Sequence, residues 1–120
     1  MSEIRATTIS DAAGTGPIAL TGQSAAKAWV TFNGTSTATI LDSFNCGSLT
    51  DNGTGSYDVA ISSAMSNASY SLVEGSRSYQ TYTNRSGANT ASNMAVGTAN
   101  ASGSAVDVAY IAMNANGDLA

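Results

Sequence analysis

Ser56-Tyr57-Asp58-Val59-Ala60-Ile61-Ser62 decides the fold class. Tyr57, Val59 and Ile61 alternate with Asp58, Ala60 and Ser62, the period-2 signature of a strand with one buried and one solvated face. The preceding Asp51-Asn52-Gly53-Thr54-Gly55 is the clearest turn in the chain, because Asp and Asn cap their own backbone and Gly admits positive φ. Upstream, Phe44 and Leu49 suggest a short extended piece. Residues 28–42 predict a hairpin, with Trp29-Val30-Thr31-Phe32 and Thr37-Ala38-Thr39-Ile40-Leu41 joined through Asn33-Gly34. Downstream, residues 68–73 repeat the alternation with Tyr70 and Leu72 on one face, and residues 79–83 form a weaker strand. The last predicted strand runs over 105–113, where Val106, Val108 and Tyr110 oppose Asp107, Ala109 and Ile111, followed by a polar tail.

Strand-sized units at this spacing predict an all-β domain, a small antiparallel β-sandwich or barrel-like fold. One short helix is expected within it, capped by Thr21 or Ser24 and running from Gln23 to Ala28. The expected core is Trp29, Phe32, Ile40, Tyr57, Val59, Ile61, Tyr70, Leu72, Val106, Val108 and Tyr110. Residues 1–20 read as an extended N-terminal arm and 21–120 as the β domain, with a low-complexity loop at about 84–104. The arm offers Ile4, Ile9, Pro17, Ile18 and Leu20 as interface candidates.

Of the 120 residues, 42% are apolar, but alanine dominates and there are only one Trp, two Phe and five Tyr. Apolar surface contributes roughly 25 cal/mol per Å² on burial, so alanine stabilises little against the conformational entropy of ordering the chain. Burial against further copies, as a homotrimer or another symmetric oligomer, is the expected remedy. With four basic and eight acidic residues, and a net charge of −4, the chain lacks the clustered cations that nucleic acid requires. The opening residues, Met1-Ser2-Glu3-Ile4-Arg5, predict no signal peptide, and no apolar run approaches membrane-spanning length. No membrane partner is therefore expected.

The residues also speak against catalysis. There is no histidine, and Lys27 is the only lysine, so Ser-His and Cys-His pairs cannot form. Cys46, the single cysteine, has no basic neighbour in sequence to activate its thiol. Asp42, Asp51, Asp58 and Asp107 are the candidate acid–base carboxylates, but Asp51 belongs to a turn, and Asp58 and Asp107 to polar strand faces. The segments 51–56 and 114–118 superficially resemble calcium loops, but without the ligand spacing or terminal glutamate of an EF-hand. No catalytic residue, metal or cofactor is expected. The five Asn-x-Ser/Thr triplets, beginning at Asn33, Asn52, Asn67, Asn84 and Asn100, are what a chain rich in these residues produces by chance.

Three stretches taken together carry a resemblance. They are Ile4–Thr35, which contains Ala25-Ala26-Lys27-Ala28-Trp29-Val30 and Phe32-Asn33-Gly34-Thr35, then residues 42–57 with Asp42-Ser43-Phe44-Asn45 and Leu49-Thr50-Asp51-Asn52-Gly53, and the close at 109–120. The chain resembles a group of short fibre-like virion proteins of tailed phages, many of them marine, that are usually described as tail-fibre or tail structural proteins. This implies a structural protein on the outer surface of a virion, made in the host cytoplasm. The chain is too short for an attachment domain, a shaft and a tip, and it has no heptads for a coiled-coil shaft. A head decoration or cement protein that contacts the major capsid protein is therefore the leading expectation. A short tail-fibre or tail-tip subunit, contacting tail proteins and a host-surface glycan, is the alternative. A carbohydrate-binding module would instead display Trp29, Tyr79 and Tyr82 on one platform.

Overall fold

The computed structural model describes residues 25–83 and 89–120. β1 (Ala26–Asn33) and β2 (Thr39–Phe44) pair antiparallel, as do β3 (Cys46–Asp51) and β4 (Ser56–Ile61). β5 (Ser71–Ser76), β6 (Gln80–Thr83), β7 (Asn93–Ala99) and β8 (Ile111–Asn116) complete the set. They form two four-stranded antiparallel sheets, ordered β2-β1-β8-β5 and β3-β4-β7-β6. The domain is thus a small all-β sandwich. The chain changes sheet directly from β2 to β3 and from β5 to β6, so each side of the sandwich is stitched by covalent chain.

The inner faces follow strand parity. From the first sheet come Ala28, Val30 and Phe32 of β1 and Ile111, Met113 and Ala115 of β8; from the second come Tyr57, Val59 and Ile61 of β4 and Met94 and Val96 of β7. Met65 and Val108 join from loops, and Ile40, Leu49, Tyr70, Leu72 and Val106 pack against the cluster while partly buried. Phe32 and Tyr57 meet edge to face at 5.2 Å between ring centroids, the geometry favoured by the aromatic quadrupole. Met65, Met94 and Met113 bring flexible bulk to a core that also contains alanines.

Several expectations change. The helix expected over 23–28 is replaced at its C-terminal end, where Ala26–Ala28 already belong to β1; Gln23 and Ser24 lie outside the described residues. Two turns of helix bury too little to compete with a strand paired on both sides. The loop expected over 84–104 contains β7, which is buried almost throughout. The final strand begins at Ile111 rather than 105 and runs through Asn116, into what reads as a polar tail. Tyr110 is half-buried beneath Arg77, whose guanidinium carbon lies 4.2 Å from the ring centroid, and it is not part of the core. Trp29 is not in the core either. Once Ala28, Val30 and Phe32 point inward, the pleat directs Trp29 to the opposite face.

Candidate binding face

The outward surface of β2-β1-β8-β5 is fixed by the register of its four strands. One cross-strand row runs Phe44–Trp29–Asn114–Val73, and the next runs Asp42–Thr31–Ala112–Gly75. Directly opposed residues share a face, so the single tryptophan stands beside an exposed phenylalanine on one side and an asparagine and an exposed valine on the other. Phe44 is 55% and Val73 61% exposed. Between Trp29 and Val73 lies a depression of about 420 Å³, with Thr31, Gly75, Ala112 and Asn114 also in its lining.

Asn114 accepts a hydrogen bond on Oδ1 from Asn116 Nδ2 at 3.1 Å. Thr31 Oγ1 donates to the Asp42 carbonyl over a long 3.5 Å, and Asp42 Oδ1 accepts from the Ser43 amide at 2.8 Å. The face therefore alternates apolar and hydrogen-bonding groups. The platform of Trp29 with Tyr79 and Tyr82 does not form: Tyr82 belongs to β6 of the other sheet, and Tyr79 to the link between β5 and β6.

β2 forms the rim of this face. As an edge strand it presents one unpaired side, and a bulge sets Thr31 opposite Asp42 but Phe32 opposite Ile40, leaving Leu41 as the extra residue. Leu41 is 56% exposed.

Three of the candidate carboxylates, Asp107, Asp51 and Asp58, are engaged by neighbouring loop and turn groups. Asp107 Oδ1 accepts from the Gly55 amide and from the Tyr57 hydroxyl, both at 2.7 Å. The Tyr57 hydroxyl also lies 2.9 Å from the Gly34 carbonyl, so its one proton sits between two acceptors. Burial, and then the Asp107 carboxylate, push the Tyr57 pKa well above the ordinary tyrosine value. Asp51 Oδ1 accepts from the Gly53 amide at 2.9 Å, and Asp58 Oδ2 from Asn52 Nδ2 at 2.9 Å. Gly55 has φ +65°, and a Cβ there would run into the Thr98 carbonyl and the Val106 backbone, so this turn requires glycine.

Cys46 is half-buried with its Sγ 3.4 Å from the Trp29 carbonyl, and burial raises its thiol pKa. Among the described residues no group of three His, Cys, Asp or Glu could hold a metal ion. No described helix is long and apolar enough to cross a membrane. The interface candidates Ile4, Ile9, Pro17, Ile18 and Leu20 lie outside the described residues.

No family model, curated protein or solved structure matches the chain.

Asn45, Val73 and Gly75 are structurally prominent residues that the sequence did not single out. Asn45 is the entire link between β2 and β3, in the left-handed region at φ 54°. Its Nδ2 donates to the carbonyls of Lys27 and Ser63 at 2.9 and 3.0 Å, and its Oδ1 accepts from the Ser63 amide at 2.7 Å. The available signal was an asparagine, the residue most tolerant of positive φ after glycine, between two extended segments.

Proposed function

We propose that the chain is a structural protein of the outer surface of a tailed-phage particle, a head decoration protein that stabilises the shell by binding to it. The observation that carries this beyond the resemblance is the β2 rim. Its burial pattern is the most open of the strands of its sheet, and it carries the exposed Leu41 and Phe44 beside a single charge, Asp42. Natural edge strands are usually blunted by charge, proline or cover. An apolar, uncovered edge suits a protein that is completed by a neighbour in an assembly. The same edge supports association between copies into a symmetric oligomer.

Gold-labelled antibody against the protein should decorate the heads of intact particles, with a copy number of the order of the shell protein's. Leu41→Glu with Phe44→Glu should leave the folded domain intact by circular dichroism and abolish its incorporation. Labelling confined to the tail, at a handful of copies, would establish the second reading, a short tail-fibre or tail-tip subunit. That reading is favoured by the depression beside Trp29, which has the dimensions of a small-ligand site.

A further inference from the structure

We infer that the depression between Trp29 and Val73 is a subsite for one neutral pyranose ring of a glycan. The inference rests on the described domain alone and stands whether the protein sits on a head or a tail. Three features of the face converge on this ligand class.

The first is size. β8 separates β1 from β5, so Trp29 and Val73 stand two interstrand spacings apart, roughly 9–10 Å. The two rows that bound the floor are two residues apart along the strands, roughly 7 Å. Asn114 stands between Trp29 and Val73 in their row, so the open floor lies over the next row at Ala112 and Gly75, and the 420 Å³ volume, at the small end of ligand sites, suits a single six-membered sugar ring.

The second is the floor. Ala112 and Gly75 are the two smallest residues available, side by side in one row. A Cβ at Gly75 would meet nothing within 4 Å, so close packing does not demand glycine there. Glycine in a strand interior is unfavourable, and what it provides at this position is open space against the depression.

The third is chemistry. Pyranose rings carry an apolar C–H face and a belt of hydroxyls. Trp29 supplies a large polarizable surface for the former. The Asn114 amide, of which only Oδ1 is engaged among the described residues, and the Thr31 hydroxyl, with its long bond, supply donors and an acceptor for the latter. Among the described residues the lining has no Lys or Arg, which disfavours phosphate, nucleic acid and acidic sugars.

The test uses the full chain and its single tryptophan. Cellotriose, galactotriose and mannotriose are titrated while Trp29 fluorescence is followed, with glycerol as the control for solvent effects. At least one trisaccharide should produce a saturable change with a half-point of about 1 mM, the affinity of a single shallow subsite. Gly75→Val, which the open space around that position lets fold, should remove the change. Asn114→Ala should weaken it about fivefold, as loss of one hydrogen bond implies. Absence of saturation with all three sugars would overturn the inference, and so would a response that survives Gly75→Val unaltered. Neither result bears on the gold labelling, so the two proposals fail separately.

Discussion

Asparagine is the residue that holds this molecule's corners. Asn33, Asn67 and Asn100 each accept, on Oδ1, the backbone amide of the residue two positions on: Thr35 at 2.8 Å, Ser69 at 2.7 Å and Ser102 at 3.1 Å. Each begins an Asn-x-Ser/Thr triplet, so in these places the triplet is the chemistry of an Asx turn. Asn45 goes further, because its side chain joins β1 to the loop after β4 while its backbone turns the chain from one sheet to the other. Asn45→Ala should destabilise by about 2–4 kcal/mol, from three lost hydrogen bonds and an alanine held at positive φ. Asn45→Gly, which removes the bonds but not the conformational freedom, should recover about 1 kcal/mol of that loss. Equal loss in the two variants under chemical denaturation would show that the backbone conformation at this corner contributes nothing.

At the level of strands, parity governs which side chains stabilise. Trp29 and Phe32 are three residues apart, and a regular strand cannot place both on one face. Their shared expectation as core residues therefore conflicted with the period-2 logic that identifies β4 correctly, and counting from Val30 would have exposed it. Phe32→Ala should cost about 3–5 kcal/mol as a fully buried aromatic, and Trp29→Ala about 1 kcal/mol. Comparable losses at the two positions in urea unfolding would contradict the assigned faces.

β4 and the first hairpin were legible because large apolar residues alternate with polar ones. β7 was not, because its outward residues are Ala95, Gly97 and Ala99, and a strand buried on both faces loses the polar half of its pattern. Met94, Val96 and Thr98 keep the period, but they are immersed in a Ser/Ala/Asn/Gly background. β8 was misplaced for a related reason. Val106 and Val108 alternate and do reach the core, but from an irregular segment anchored by the Thr98 hydroxyl on the Val106 carbonyl. The candidate face was legible only in its tryptophan. Val73, Gly75 and Asn114 come from strands brought together by the sheet order, which no local pattern encodes.

For the whole molecule, stability is coupled to tyrosine protonation. Burial pushes Tyr70 up to about 12, with its hydroxyl donating to the Asn93 carbonyl at 2.7 Å, and Tyr57 is raised further by burial and Asp107. Both pKa values are raised in the folded state, so the unfolded chain releases these protons first. The stabilisation is fully present below the ordinary tyrosine value of about 10 and is lost as pH rises from there through the folded values. The midpoint of thermal unfolding should therefore be insensitive to tyrosine ionisation at neutral pH and fall steeply above about pH 10. Tyr70→Phe should flatten part of that decline. An unchanged slope in this variant, with tyrosinate absorbance rising at the ordinary value, would refute the coupling.

The turns also bear on chemical ageing. Asn-Gly steps are the usual starting points for deamidation, in which the glycine nitrogen attacks the asparagine side chain and expels ammonia. At Asn33-Gly34 that nitrogen donates to the Val108 carbonyl at 2.9 Å, and at Asn52-Gly53 to Asp51 Oδ1 at 2.9 Å. At Asn116-Gly117 the asparagine amide is tied to Asn114, while the glycine packs against Met65 and Tyr70. Cyclisation must first break the bond of the glycine amide at the first two steps and that of the asparagine side chain at the third. A protein this rich in asparagine thus slows its own spontaneous breakdown through the folded state, and unfolding opens these steps to cyclisation.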